Sequence, residues 1–198
     1  MKSKTWLAYA LLSIISAACS QEKSEKDDAA RDEESASPAT PEGSVQKIEL
    51  DGSSKEAWSG FDFDAGLPIS KEALGSDRNW DIAVKRTSIK LNGPGVKILL
   101  VQNQDFASIS SAPAEGFIGD QSPSDPSKET SGLAFHQGES WYSYDPATHV
   151  VKSRDQVYLL QSSAGQLFKL KILDYYGAER LPAYFQIQWQ RLDAGVAP

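Results

Sequence analysis

The chain has 198 residues, with 27 acidic against 20 basic side chains and a formal net charge of −7 at pH 7. A nucleic-acid-binding domain carries a basic stripe, and this sequence contains none. It also lacks the phosphate-binding loop, the H-E-x-x-H zinc motif and the C-x-x-C motif, which excludes the protein classes built on them.

Residues 1–18 have the organisation of a secretory signal peptide. Lys2 and Lys4 precede an apolar run that is too short to span a membrane, and small residues follow it. Cys19, the only cysteine, comes next, as in a bacterial lipobox whose thiol is acylated. Ser16 stands where a larger aliphatic residue is more usual, so an ordinary signal peptide with an incidental cysteine is the alternative. We interpret Cys19 as a lipidation site that anchors an exported protein in the bacterial cell envelope.

Residues 19–43 are predicted to be a disordered acidic tether. After the cysteine, the segment contains eight acidic and three basic residues, no aromatic residue and no Val, Ile or Leu. It therefore cannot bury enough apolar surface to offset the entropy that ordering would cost. Ser20 follows the cysteine where an acidic residue would signal inner-membrane retention in enteric bacteria. We therefore expect an anchor in the outer membrane.

Residues 44–198 are close to the usual size of one domain, and their pattern predicts short strands. The strands of the first half are expected at Val45–Leu50, around Trp58–Phe63, around Trp80–Lys85, at Thr87–Leu91 and at Val96–Gln102. In the strand around Trp80–Lys85, one face is expected to carry Trp80, Ile82 and Val84, and the other face Asp81 and Lys85. Asn92–Gly95 predicts a turn between the last two of these strands, because asparagine and glycine tolerate positive φ.

The segment between residues 103 and 130 has a different composition. Asn103–Ser110 is consistent with a brief helical turn, and three prolines and two glycines interrupt the remainder. A loop of this length inside a domain is uncommon. It is either functional or a disordered insertion.

An aromatic hairpin is predicted next. Trp141, Tyr142 and Tyr144 lie in one short strand, and Asp145–Thr148 is a tight turn that leads into His149–Val151. Aromatic side chains with polar tips suit a planar apolar ligand that has charged edges. The alternative is that these aromatics are simply favoured in strands and belong to the core.

The clearest strands are at the C-terminal end. They are expected at Val157–Gln161, Leu167–Tyr176 and Ala183–Gln190, with a turn at Ser162–Gly165. Apolar and polar residues alternate strictly in the last two, so one face of each points to the core and the other to solvent. Lys169 and Lys171 are expected on the solvent face. The domain is therefore predicted to be all-β, with antiparallel sheets.

Catalysis has little support in the sequence. Asp62 and Asp64 lie two residues apart, on one face of a strand, which would suit acid–base or glycosidic chemistry. A solvated strand face explains this pair more simply. The serines and histidines between residues 136 and 149 are not accompanied by a nucleophile motif such as G-x-S-x-G. We therefore expect a binding protein and not an enzyme.

Four separated blocks resemble the HmuY-like family of bacterial lipoproteins, in the same order along the chain. They are Asn79–Arg86 with Ile89–Gly93, Trp141–Asp145 with Thr148–Val150, Val157–Leu160 with Ala164-Gly165, and Phe168–Tyr176. The founding members are all-β, surface-anchored, haem-binding proteins. The resemblance therefore implies haem as the ligand, haem capture as the function, and delivery to an outer-membrane transport partner.

The same resemblance implies axial haem ligands presented by loops and hairpins, with His136 and His149 as candidates and Trp141, Tyr142 and Tyr144 as haem contacts. On an extended chain, His136 would lie roughly 26 Å from Tyr144. Two nitrogens that bind one iron must lie about 4 Å apart. Only a sharp reversal at Gln137-Gly138 would bring the two histidines together. Ligation by both histidines, by one histidine with another ligand, and by neither all remain open.

A different class of function is also compatible with the sequence. The same β fold can serve as a non-haem protein-interaction module of the cell envelope, which presents its loops to another protein. An enzyme that acts on envelope glycans is a third and weaker interpretation. A saturable shift of the haem Soret band on addition of haemin separates the first function from the other two.

Overall fold

The computed structural model describes residues 43–75 and 79–192. This part of the chain contains eleven strands and three short 3-10 helices, and its strands pair only in the antiparallel sense. The strands are β1 (Gln46–Asp51), β2 (Ser59–Asp62), β3 (Leu67–Ile69), β4 (Ile82–Lys85), β5 (Ser88–Leu91), β6 (Lys97–Val101), β7 (Tyr142–Asp145), β8 (Val150–Ser153), β9 (Val157–Gln161), β10 (Leu167–Tyr176) and β11 (Pro182–Leu192). The 3-10 helices span Gly93–Gly95, Phe106–Ser108 and Ala134–His136. The all-β fold class is thereby confirmed.

The predicted signal peptide, Cys19 and all of the tether except Gly43 lie outside the described residues. Their interpretation stays a prediction, as does the domain boundary at residue 44. Within the described ranges, no helix is long and apolar enough to cross a membrane.

A five-stranded sheet in the order β1-β11-β10-β9-β6 forms one side of the core. Alternate residues of its two longest strands are buried, namely Phe168, Leu170 and Ile172 of β10 with Phe185, Ile187 and Trp189 of β11. Strands β9 and β10 form the predicted hairpin, and Gly165 in its turn has a φ of 79°. The strict alternation therefore predicted these strands and their inward faces correctly.

A four-stranded sheet in the order β3-β2-β4-β5 covers the inner face of the first sheet. Aromatic rings interlock between the two layers: Phe61 and Phe63 lie 5.8 Å and 5.4 Å from Trp189 between ring centroids, with edge-to-face geometry. Burial of each such side chain stabilises the fold by about 1.5–3 kcal/mol. The two sheets thus share one hydrophobic core.

The connection at Asn92–Gly95 joins β5 to β6, as the sequence indicated, but these strands belong to different sheets. Gly93 has a φ of 64° and begins a 3-10 helix that carries the chain from one layer to the other. Asparagine and glycine allow the chain to turn sharply without specifying a hairpin. The motif therefore marks a crossover between layers.

The solvent-face prediction for Lys169 is wrong. The segment around the 3-10 helix Phe106–Ser108, which confirms the predicted helical turn, packs over the outer face of the five-stranded sheet. A second hydrophobic cluster forms there, from Phe106 and Ile109 with Leu159 and other residues of the sheet. Lys169 is only 3% exposed beneath this segment. Part of the long loop therefore covers the face of β10 that the alternating pattern of β10 predicted to be exposed.

The solvated strand face expected for Asp62 and Asp64 is wrong for Asp62, which is buried. Asp81 is fully buried, and the turn between β9 and β10 contacts both Asp81 and Asp64. In that turn, the Ser163 N–H donates to Asp81 Oδ1 at 2.8 Å and the Ser162 hydroxyl donates to Asp64 at 2.9 Å. Asp81 Oδ2 accepts a hydrogen bond from the Phe63 N–H at 2.8 Å. The carboxylate of Asp81 therefore links the two sheets.

Candidate functional site

The third sheet is the two-stranded hairpin of β7 and β8, as the aromatic segment predicted. Two hydrogen bonds fix it to β10. The Val151 N–H donates to the hydroxyl of Tyr176 at 3.2 Å, and the Ser153 hydroxyl donates to the carbonyl of Ile172 at 2.5 Å. The hairpin is therefore held at its second strand, and β7 forms its outer strand.

Trp141 anchors the base of the hairpin in the core. Its side chain is 1% exposed, and its indole N–H donates to the carbonyl of Thr87 at 3.0 Å. Its ring packs against Phe185, with 5.2 Å between ring centroids. Of the three aromatic candidates, Trp141 is thus placed in the core, while Tyr142 is half-buried and Tyr144 is 51% exposed.

His136 lies beside Tyr142 because the chain reverses between them. His136 ends the third 3-10 helix, Gly138 has a φ of 62°, and the Trp141 N–H donates to the carbonyl of Phe135 at 3.1 Å. The ring centroids of His136 and Tyr142 are 6.1 Å apart. The extended-chain separation that the sequence suggested therefore does not apply to His136.

The imidazole of His136 is neutral and only partly hydrogen-bonded. Its Nδ1 lies 3.2 Å from the hydroxyl of Ser140, whereas its Nε2 is buried with no hydrogen-bond partner among residues 43–75 and 79–192. Burial lowers the pKa of His136 to about 4. A neutral imidazole with one nitrogen held by a neighbour and the other free has the arrangement of a metal ligand.

His149 lies at the opposite end of β7, in the hairpin turn. It is exposed, has a φ of 57°, and its Nδ1 is 2.5 Å from the hydroxyl of Tyr144. Asp145 stabilises the same turn by accepting hydrogen bonds from the Ala147 N–H and the Thr148 hydroxyl. The two histidines are therefore associated with different tyrosines, which lie two residues apart on the same face of β7.

An open cleft of about 940 Å³ adjoins the reversal that follows His136. Its wall includes Gln137–Glu139 and residues from the other face of the hairpin, with Lys152 and Arg154 as its cations. Arg154 also donates from Nε to the carbonyl of Tyr142 at 3.2 Å, which ties the cleft to the tyrosine strand. The acidic residues Asp105, Glu139 and Asp155 share the rim. None of the five sequence candidates lines this cleft, and no motif in the sequence marked it.

A cluster of three carboxylates elsewhere has the ligand types of a cation site. The carboxylate oxygens of Asp62, Asp64 and Asp81 lie within 4.8 Å of one another. Burial raises the pKa of Asp81 to about 6, and the charges of Asp64 and Asp62 add to this effect. Backbone N–H groups already occupy both oxygens of Asp81. The cluster therefore acts structurally, as a polar joint between the sheets.

Comparison with solved structures places this fold among known ones. A protein from Bacteroides vulgatus, described as HmuY-like and haem-binding, matches with a TM-score of 0.56 and 17% identity over 73% of this chain and 90% of its own. A protein from Bacteroides fragilis, described as a lipoprotein, matches with a TM-score of 0.54 and 15% identity, over 73% of this chain and 88% of its own. The apo form of a HmuY analog from Tannerella forsythia matches with a TM-score of 0.57 and 13% identity, over 78% of this chain and 100% of its own.

At these identities, the structural matches establish the fold alone. A search among curated proteins found no match to this chain. The family model for the HmuY protein, however, matches residues 54–189, which is most of the sequence. The resemblance seen in the separated sequence blocks is confirmed, and the chain belongs to the HmuY family.

Proposed function

We propose that this chain captures haem, with His136 as an axial ligand of the iron. The observation that carries this proposal is the buried Nε2 of His136, which has no partner in the described part of the chain. Membership of the HmuY family supports it, as does the haem-binding description of the Bacteroides vulgatus relative. Imidazole nitrogen is the commonest axial ligand of haem iron in proteins.

Residues around His136 suit the rest of a haem molecule. The contact with Ser140 orients the ring, and in the tautomer in which the Nδ1–H donates to the Ser140 hydroxyl, Nε2 keeps its lone pair for iron. The half-buried ring of Tyr142 offers an apolar edge beside the imidazole. Lys152 and Arg154 in the adjoining cleft can form charge-assisted hydrogen bonds with the two propionates. Because Nε2 is buried, the reversal at residues 137–139 must open to admit the ligand.

For the two axial positions of the haem iron, the geometry favours His136 together with a ligand other than histidine. It does not favour His136 together with His149. His149 and His136 are at opposite ends of β7, and the hydroxyl of Tyr144 already engages Nδ1 of His149. Tyrosine oxygen is an established haem ligand, and Tyr142 is the tyrosine beside His136. Tyr142 is therefore our candidate for the second axial position.

Haemin titration of four proteins tests the proposal: the unaltered chain, His136→Ala, His149→Ala and the double variant. We expect a saturable Soret band in the unaltered chain and in His149→Ala. His136→Ala and the double variant should lose the band or shift it, with an affinity at least about tenfold lower, since a metal bond is removed. The same Soret position and affinity in all four proteins would exclude both histidines as ligands.

We also propose that Cys19 carries the lipid that anchors the protein in the outer membrane, where a transport partner receives the haem. The sequence around Cys19 supports this, together with the lipoprotein description of the Bacteroides fragilis relative. Cys19→Ser should abolish partitioning into detergent with the membrane fraction. Unchanged partitioning would contradict the anchor.

The alternative function, a non-haem interaction module of the envelope, is favoured by the outer end of the hairpin. Tyr144 and Val150 are 51% and 41% exposed there, which leaves apolar surface open to another protein. For this alternative we expect no saturable Soret band, and we expect Tyr144→Ser to reduce retention of the protein on envelope fractions. Retention that is unchanged by Tyr144→Ser would argue against it.

A further inference from the structure

A second cleft, of about 500 Å³, lies on the outer face of the five-stranded sheet. It opens between β10 and β11 and the loop segment that begins at the 3-10 helix Phe106–Ser108. The side chains that matter here are Val45, Phe106, Ile109, Lys169, Arg191 and Leu192. No acidic residue lines the cleft within the described ranges, although the chain as a whole is acidic.

Lys169 is the unusual residue of this cleft. Its ammonium donates to the carbonyls of Phe106 and Ile109 at 2.8 Å and 2.7 Å, and it lies 4.7 Å from the centroid of the Phe106 ring. An ammonium group has three donors, so these two carbonyls leave one donor over. Among the described residues, Lys169 forms no ion pair with a carboxylate.

A buried charge whose partners are all neutral destabilises the folded state, because the free energy of its desolvation is not offset by an opposite charge. Burial lowers the pKa of Lys169, which reports this cost. An anion placed next to the ammonium would offset it, because charge-assisted hydrogen bonds are about twice as strong as neutral ones. The other lysine on this face of β10, Lys171, already has its anion in Asp155, at 2.8 Å. Lys169 thus lacks the partner that its neighbour has.

We propose that this cleft binds a single-chain amphiphile with a carboxylate head. The head pairs with Lys169, and the apolar chain lies along Phe106, Ile109 and Leu192, all of which are buried at the cleft. A mostly apolar lining with a few placed polar groups is the usual build of a small-molecule site. This ligand is separate from haem, because the haem proposal uses the other cleft, which has acidic residues on its rim.

The head group is tested first, on the full chain, by calorimetric titration with decanoate, decanol and decyltrimethylammonium. We expect decanoate to bind at one saturable site, at least about tenfold more tightly than decanol, because one desolvated charge pair is gained. The cationic analogue should not bind. Equal binding of decanoate and decanol, or no binding of decanoate, would overturn the proposal.

The residue is tested by Lys169→Met, with Lys171→Met as the matched control on the same face of the same strand. Lys169→Met should reduce decanoate affinity at least about tenfold, whereas Lys171→Met should leave it unchanged. Equal affinities in the two variants would contradict the assignment of Lys169.

Because Lys169→Met also removes the two bonds that hold the loop, a second pair of variants leaves the loop intact. Val45 lines the cleft and is 51% exposed, so either charge is tolerated there without disturbing the core. Val45→Glu should weaken decanoate binding several-fold by repulsion, and Val45→Lys should keep or strengthen it. The same affinity in both charge variants would show that the head group does not lie here.

Discussion

Asp81 is fully buried and His136 is half-buried, and these two titratable residues differ in their hydrogen bonds. Both carboxylate oxygens of Asp81 accept backbone N–H groups, one from Phe63 directly after β2 and one from Ser163 in the turn between β9 and β10. His136 has a partner on Nδ1 only, and its Nε2 has none in the described part of the chain. A buried polar group whose bonds are complete stabilises a fold, whereas one whose bond is missing can still bind a ligand if the ligand can reach it. Substitutions at the two residues should therefore have opposite effects on stability and function.

The largest effect is expected from Asp81→Ala. This change leaves the buried N–H groups of Phe63 and Ser163 without acceptors, and each such loss costs about 1–3 kcal/mol. We expect the free energy of unfolding to fall by about 2–4 kcal/mol in urea denaturation. Glu115→Ala, at an exposed residue of the segment between β6 and β7, is the control and should change it by less than about 0.5 kcal/mol. If Asp81→Ala lowers the free energy of unfolding no more than the control does, Asp81 does not stabilise the contact between the two sheets.

The pH dependence of stability separates the two residues next. Burial raises the pKa of Asp81 from 3.8 to about 6, so the folded state binds this proton more tightly than the unfolded state. The contribution of Asp81 to the free energy of unfolding therefore falls as pH rises from 3.8 to 6. Burial lowers the pKa of His136 from 6.5 to about 4. Its contribution is complete above pH 6.5 and is lost as pH falls towards 4.

These two slopes oppose each other, so single substitutions should expose them one at a time. Relative to the unaltered chain, Asp81→Asn should make the slope of stability against pH more positive in the range of Asp81. His136→Leu should make the slope more negative in the range of His136. Urea unfolding at a series of pH values between 4 and 7 measures both. Changes of slope with the same sign in the two variants, each measured against the unaltered chain, would contradict the opposed assignments.

A smaller effect on stability is expected from His136→Leu at neutral pH. The change removes Nε2, which has no partner among the described residues, and it also removes the contact of Nδ1 with the Ser140 hydroxyl. These two effects have opposite signs, so the free energy of unfolding should change by less than about 1 kcal/mol. The haemin Soret band should nevertheless be lost. A large loss of stability would mean that His136 supports the fold in the way that Asp81 does.

The smallest effect is expected from Tyr144→Phe. The hydroxyl of Tyr144 contacts His149 in an exposed turn, where a hydrogen bond exchanges readily with water. Stability should change by less than about 0.5 kcal/mol, and haemin affinity by less than about twofold, if His136 provides the ligand. A marked loss of haemin affinity in Tyr144→Phe would indicate that haem binds at the outer end of the hairpin and not at His136.

The sequence predicted the strands but not what covers them. Period-two alternation in β10 and β11 identified the core-facing side chains correctly, since it reflects the geometry of a single pleated strand. Lys169 was misplaced and the burial of Asp81 was not foreseen, because both depend on segments that are distant in sequence. The loop at Phe106–Ile109 covers Lys169, and the turn at Ser162-Ser163 covers Asp81. A local pattern contains no information about such partners.

The candidate site was predictable in part for the same reason. Aromatic residues around a tight turn indicated the hairpin of β7 and β8, and the structure contains it. The position of His136 depends on a reversal through Gly138, and the sequence offered that reversal only as one possibility. The unpartnered Nε2 could not be foreseen, because it results from packing around a half-buried ring. The family resemblance supplied the expectation of haem, and the packing identified one histidine that suits it.

The pairing of β1 with β11 has a consequence for how the chain folds. Gln46 is the register partner of Trp189, so the first and last strands of the domain are neighbours in one sheet. Contacts between residues so distant in sequence form late and slowly, because a long loop must close before they contribute. Synthesis proceeds from the N-terminus, and β1 therefore has no partner until β11 has been made. The five-stranded sheet therefore stays incomplete until its C-terminal strand has been made.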